Sequence, residues 1–232
     1  MRRKGLVVLS LMALAVLLSL SSCTSNPEQG LLNTYFHAIS LKDTMTMSTM
    51  ALEPMSIDFE SWEIVSVSEE TVTPFTLAEI NKSELDLKKK LEDHVGPVME
   101  AEDALYTAQE EEKLARTGGA RAAAKKNAAE AQVKYDQERE VHRELQRQYN
   151  EAKAAAAKEE QSALFSLGER QLLNIRELTG TAHSKELEIK VVGKDGQARN
   201  YRFHLKRYEL RDETAGITRR GAWKIINSEP VA

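Results

Sequence analysis

Residues 105–135 read LYTAQEEEKLARTGGARAAAKKNAAEAQVKY, a run of helix formers interrupted by Thr117-Gly118-Gly119. Ala, Glu, Lys, Gln and Arg have high intrinsic helix propensity, and adjacent glycines suit a tight reversal. The run therefore predicts two helices folded back on each other, with the turn at Thr117–Gly119. The same composition continues outward on both sides. From about Thr76 to Gln161 the aromatic residues are Tyr106, Tyr135 and Tyr149, whereas Trp62, Trp223 and all five Phe lie outside.

Both halves carry a seven-residue hydrophobic spacing. Leu87, Leu91, His94, Val98, Ala101 and Leu105 step by threes and fours, and so do Ala131, Tyr135, Glu138, His142, Leu145 and Tyr149. Such steps keep one stripe of side chains facing a partner helix. A fold at the glycines sets residues whose numbers sum to about 237 side by side. Leu91 then meets Leu145, Ala101 lies near Tyr135, and His94 faces His142. Each arm of about 40 residues reaches roughly 60 Å at 1.5 Å per residue. The seam is weak, because its alanines bury little surface and His94, His142, Glu112 and Glu138 interrupt it. Gly96-Pro97 is expected to kink or break the first arm. Two roles fit an arm of this kind: a solvated spacer, or a projection that binds another envelope protein or itself.

The flanks read differently. Asn26-Pro27 opens a helix whose apolar face is Leu32, Tyr35, Phe36 and Ile39. Lys42-Asp43 marks a break, and Asp43 is placed to cap a second short helix carrying Met47 and Met50. Residues 62–67 (WEIVSV) are rich in strand formers. After the helical stretch, Leu187 to Val191 and Tyr201 to Lys206 alternate apolar and polar residues around the turn Gly193-Lys194-Asp195-Gly196. A last strand covers Ala222 to Ile226.

The expected architecture is α+β: a small domain of helices and antiparallel sheet, interrupted by a long antiparallel, coiled-coil-like helical hairpin. Its boundaries are 24–75 and 167–232 for the discontinuous domain and 76–166 for the inserted hairpin. The small domain resembles the cystatin-like cone of the nuclear transport factor two-like superfamily. The resemblance rests on Tyr35-Phe36-His37-Ala38-Ile39 with Lys42-Asp43, and on Gly221-Ala222-Trp223-Lys224-Ile225-Ile226. It implies a concave sheet face able to take a small ligand, with Trp62, Tyr201, Phe203 and Trp223 as the candidate lining. Compact members of that superfamily lack an arm of this length.

The amino terminus carries its own signal. Arg2, Arg3 and Lys4 precede an uncharged run from Leu6 to Leu20, which is shorter than the roughly 20 residues a membrane-spanning helix needs. Small residues follow it, completing the three parts of a secretory signal over residues 1–22. Leu20-Ser21-Ser22-Cys23 resembles the lipobox of bacterial lipoproteins. The resemblance implies that Cys23 becomes the first residue of the mature chain and carries acyl groups that hold it on a membrane. Stable anchoring takes two or more chains. Thr24 rather than Asp follows the cysteine, which by the family's sorting pattern implies an outer-membrane position facing the periplasm in a cell with two membranes.

Charge and chemistry narrow the function classes. Losing Arg2, Arg3 and Lys4 takes the formal charge of −4 to −7 over the remaining 210 residues, which disfavours a nucleic-acid surface. Cys23 is the single cysteine, so neither a disulfide nor a catalytic thiol is expected in the exported part. Met45, Met47, Met50 and Met55 cluster, yet core packing explains them better than soft-metal ligation. The five histidines show no metal-ligand spacing; a buried His94–His142 pair is the one arrangement suited to zinc or to a pH response. Asp58, Glu60 and Tyr201 are acid–base residue types without a readable pairing. No catalytic residue, metal or cofactor is therefore assigned. The reading is a membrane-anchored envelope lipoprotein acting through its helical hairpin, with small-ligand binding by the sheet face as the alternative.

Overall fold

The computed structural model describes residues 27–231. The expected leader over residues 1–22, with Leu20, Ser21, Ser22 and Cys23, lies outside the described residues. The protein is α+β, with an antiparallel six-stranded sheet and one very long helix. The chain forms two compact units: residues 27–70, 184–206 and 223–231, and residues 71–183 and 207–222.

The first unit begins with α1 (Pro27–Leu41), where proline occupies the first turn, the position at which its missing N–H costs nothing. Leu32, Tyr35, Phe36 and Ile39 are all buried, as the helical spacing requires. The helix ends in a Schellman motif. The Lys42 N–H donates to the Ile39 carbonyl at 3.0 Å, and the Asp43 N–H donates to Ala38 at 2.9 Å. That motif needs a left-handed residue, and here Lys42 adopts φ 57° where glycine is usual. Asp43 then caps α2 (Thr44–Met50), its carboxylate accepting from the Thr46 N–H at 3.1 Å. Met47 is buried, and Met50 and Met55 pack against the same core, so these three serve as fillers, whereas Met45 is exposed and does not take the core place expected of it.

Strand β1 (Phe59–Val67) pairs antiparallel with β3 (Thr179–Gly193), and β6 (Lys224–Pro230) pairs with β4 (Ala198–Asp212). Register shifts between Phe59 and Ser61 and between Ile64 and Ser66 interrupt β1. Each shift inserts a residue, and the first lets Phe59 pack against the same core as Trp62 and Ile64 despite an odd spacing. Leu187, Ile189, Val191, Phe203, Leu205 and Ile225 complete the sheet side of that core. The alternation seen in the sequence is the pleat of β3 and β4, with one face dry.

The second unit holds β2 (Thr71–Pro74), α3 (Leu77–Asp93), α4 (Val95–Leu114), α5 (Gly118–Leu167), a 3-10 turn over Ile175–Glu177 and β5 (Ile217–Arg220). Strands β3 and β4 contribute residues to both units. Phe75, Leu77, Ile175, Leu178, Tyr208 and Leu210 form a second core with Ala156 and Ala163 of α5. The boundary therefore differs from the sequence expectation of 76–166, because residues 71–75, 167–183 and 207–222 cluster with the helices.

Helix α5 has 50 residues, about 75 Å at 1.5 Å per residue. It starts where Thr117 accepts a hydrogen bond from the Ala120 N–H at 3.2 Å, and ends at Gly168 with φ 72°. The reversal lies at Ala115–Thr117. Gly118 and Gly119 are the first helical residues rather than the turn, since Thr117 is an N-cap in extended conformation. The break in the other arm falls at His94, two residues before Gly96, and leaves Pro97 in the first turn of α4, where proline is tolerated.

Charge matches across the reversal. Residues 95–114 hold six acids and one base, whereas residues 116–134 hold five bases and one acid. The 3–4 stripe is the covered one: Leu87, Leu91, Val98, Ala101, Leu105, Ala128, Ala131, Tyr135, Leu145 and Tyr149 are buried or half-buried. Intervening positions are mostly exposed and carry ion pairs such as Arg147 with Glu144 and Glu151.

Candidate functional site

Two regions qualify, one in each unit. In the first unit, α1, β1 and β4 bring together an aromatic cluster. Phe36 stacks on Trp62 at 4.5 Å between centroids and 12° between planes, and meets Phe59 edge-on at 5.3 Å. Phe203 sits 6.1 Å from Phe36 and 6.2 Å from Tyr35. Tyr35 accepts a hydrogen bond from the Met55 N–H at 2.8 Å, and burial raises its phenol above the ordinary value.

That packing decides the fate of the four candidate lining residues. Phe203 is wholly buried and presents no surface to a ligand. Trp62 spends one ring face on Phe36. Tyr201 and Trp223 are half-buried against the same core. Lys185 lies 5.3 Å above the Trp223 ring and also pairs with the buried Glu28 and, at 3.7 Å, with Glu70. The four are thus neighbours of one core rather than the wall of an open bowl.

A cleft lies elsewhere in this unit. Its volume is about 580 Å³, and it runs between α1, α2 and the segment leading to β1. Ile39, Met47, Met55 and Ile57 supply apolar wall, while Lys42, Thr44 and Asp58 supply polar groups. Sequence reasoning missed it because its walls come from loop residues 54–58, which show no periodicity. The left-handed Lys42 is the one local signal, since the Schellman stop turns the chain there.

In the second unit the helices present a different kind of surface. Met99 is 58% exposed, Tyr106 66%, Leu114 74% and Val133 57%, and Leu85, Val95 and Val141 are exposed as well, although the covered stripe has taken up Leu87, Leu91, Leu105 and Leu145. At the other end Arg176 ties α3 to α5, bonding Glu84 at 3.0 Å and Glu160 at 2.8 Å. Those carboxylates hold the guanidinium above its ordinary value. Burial raises the Tyr208 phenol, with the Glu159 carboxylate adding to it.

The histidine pair expected from the register is present. His94 and His142 stack at 5.9 Å, and His94 Nε2 lies 3.1 Å from Glu138 Oε2. The other histidines stand apart: His37 is exposed, His183 contacts Thr181 and Arg207, and His204 lies between Glu186 and Glu229. Asp58 pairs with Lys194 at 3.8 Å, while Glu60 is exposed and Tyr201 faces the core, so the three acid–base types form no shared site. Among the described residues no three His, Cys, Asp or Glu side chains converge as a metal centre, and no helix is long and apolar enough to cross a membrane.

No protein-family model, no curated protein and no solved structure matches this chain.

Proposed function

We propose that this protein is an exported, membrane-anchored lipoprotein of a bacterial envelope, with no catalytic role, that contacts a protein partner through its helices. The anchor is Cys23, and its support is the run Leu20-Ser21-Ser22-Cys23 behind an uncharged stretch too short to span a bilayer. An outer-membrane position facing the periplasm follows from Thr24 where the cell has two membranes. Helix α1 begins at Pro27, four residues beyond the cysteine, so an acylated Cys23 holds the first unit within about 14 Å of the lipid at 3.6 Å per residue.

The arm is read as an antiparallel, coiled-coil-like hairpin. One observation carries the contact role: Met99, Tyr106, Leu114 and Val133 remain exposed on helices whose own seam is already covered. A solvated spacer has no use for them. The test is recovery from detergent-solubilised membranes. Wild type is expected to co-purify a partner, or itself as an oligomer, and Tyr106→Ser with Leu114→Ser is expected to lose it while keeping the same helical content. Equal recovery by both defeats the contact role. Cys23→Ser is expected to leave the membrane fraction or persist as precursor; normal acylation of that variant defeats the anchor separately.

The second reading, a small-ligand module built on a cone-like first unit, rests on the cleft beside Met47 and Met55 rather than on Trp62, Tyr201, Phe203 and Trp223. A filled cleft is expected to change when Met55 is replaced by Trp, and loss of a bound small molecule in Met55→Trp alone separates this reading from the first.

A further inference from the structure

We propose that the helical arm pairs with a second copy of itself through one face, with α4 of each chain laid on α5 of the other. The proposal rests on the contact role given above and names the partner. It starts from spacing. Val95, Met99 and Tyr106 are separated by four and seven residues, which at about 100° per residue brings them onto one side of α4, beside the covered stripe. They are 45%, 58% and 66% exposed, and the exposed acids Glu102 and Asp103 stand next to them. The other side of α4 shows Glu100, Thr107 and Glu111 instead. Leu114 and Val133 lie off the apolar side and take no part in it.

Helix α5 runs alongside with a different surface. His94 lies beside His142, and the antiparallel register carried on from there sets Tyr106 level with residues 130–132. On the side that α4 fills with Met99 and Tyr106, the same helical period makes α5 present Lys125, Gln132, Arg139 and Arg143, all exposed. One face of the arm therefore carries an apolar, acidic strip next to a basic one. Charges of the opposite sign in each strip are engaged within the chain: Lys113 bonds Glu110 at 2.6 Å, and Asp136 accepts from Gln132 at 3.1 Å.

Such a face is complementary to itself, and the signs of charge select the symmetry. A two-fold axis along the arm lays the acidic strip on the basic strip twice, whereas an axis across the arm lays acid on acid and base on base. With the axis along the arm, Tyr106 of one copy meets Gln132 of the other, and Arg139 comes near Met99 and Glu102. Long basic side chains cover apolar surface with their stems while their heads meet carboxylates. The size of the face is sufficient. Helix α4, with 20 residues, is about 30 Å long, and two helices side by side are about 20 Å wide. Roughly 600 Å² per copy, or about 1,200 Å² in all, reaches the lower end of specific protein interfaces.

The test is disulfide trapping of the full chain in the membranes of expressing cells. Two differently tagged populations, one with Tyr106→Cys and one with Gln132→Cys, are co-expressed and oxidised; both positions are exposed. Cys23 is the single native cysteine, so each variant expressed alone controls for its thiol. Unlike copies are expected to cross-link at least five-fold more than like copies, because two Tyr106 positions sit diagonally across the four helices. Glu102→Lys with Asp103→Lys in both populations is expected to cut that yield at least five-fold at unchanged helical content. Adding Arg139→Glu with Arg143→Glu to both is expected to restore it. Absence of the cross-link, like pairs as abundant as unlike ones, or a charge reversal without effect or without rescue overturns the proposal. Capture of a different protein, lost in Tyr106→Ser with Leu114→Ser and without any cross-link between copies, keeps the contact role and overturns the second copy as its partner.

Discussion

The two hydrophobic seams of this protein are built from opposite materials. In the first unit Tyr35, Phe36, Phe203, Trp62 and Phe59 interlock through edge and stacked contacts between 4.5 and 6.2 Å. Along α4 and α5 the buried apolar positions are Ala101, Ala108, Ala128, Ala156 and Ala163, with Leu105 as the one large residue among them. Aromatic side chains each bury some 150–250 Å², whereas alanine buries little beyond its backbone. The aromatic core thus holds by area. The helices hold by length, by the acidic and basic halves that meet across the reversal, and by the clamp of Arg176. One core tolerates little change, and the other has room to be improved.

Phe36→Ala tests that contrast most severely. It removes the ring against which Trp62, Phe59 and Phe203 pack, and a loss of about 3–5 kcal/mol is expected by analogy with buried Phe truncations. Tryptophan fluorescence during urea unfolding reads it directly. In the helices Leu105→Ala is expected to cost about 2 kcal/mol, because thinner walls collapse further around a smaller cavity. A helical midpoint as damaged as the aromatic one would remove the distinction.

Gly180→Ala probes the sheet side of the second unit. Gly180 has φ 145°, and an added Cβ would stand 2.1 Å from the Glu209 carbonyl oxygen, on a backbone that cannot yield as a side chain can. A loss of about 2 kcal/mol or more is expected in thermal melts. Unchanged melting would mean that β3 and β4 separate there without cost.

Improvement is expected where the material is thin. Ala124→Leu adds apolar surface at a half-buried stripe position and should raise helix stability by about 1 kcal/mol, read as a higher urea midpoint at 222 nm. Lys42→Gly relieves a side chain held at φ 57° and should add about 1 kcal/mol to the first unit. The same change made at Leu41, whose backbone is helical, should do the reverse.

The smallest effect concerns pH. Thr46 holds the Asp43 carboxylate below its ordinary value through hydrogen bonds from its hydroxyl and its N–H. A depressed acid stabilises the fold above the unfolded value near pH 4, and that contribution fades as pH falls through the lower folded value. Asp43→Asn keeps a capping oxygen and should flatten this acid limb without changing stability at neutral pH. The group is fully exposed, so only a slight change in midpoint is expected.

Much of this was legible because it follows from period. The steps Leu87, Leu91, His94, Val98 and Ala131, Tyr135, Glu138, His142 name the covered stripe, and their register brings His94 to His142 without any structure. Pro27, Asp43 and the alternations in β3 and β4 were equally plain. Short or irregular pieces were not. Strand β2 has four residues, all exposed, and β5 has four with a single half-buried one, so neither carries an alternation to read. The glycines at 118 and 119 pointed to the right place but the wrong role, since Thr117 competes for the cap. The likeness to a cone made Phe203 a ligand contact, whereas alternation tells only which residues face inward, not whether that side is filled.

The chain alone determined its helical arm, its antiparallel strands and a single cysteine set behind an uncharged apolar run, because each depends on residues close in sequence. Tertiary structure decided the rest. It closed the sheet face with Phe36 and Trp62, grouped the strand ends with the helices, and left two imidazole nitrogens buried in the arm. Those outcomes depend on which distant surfaces fill one another's space, and no local period encodes that.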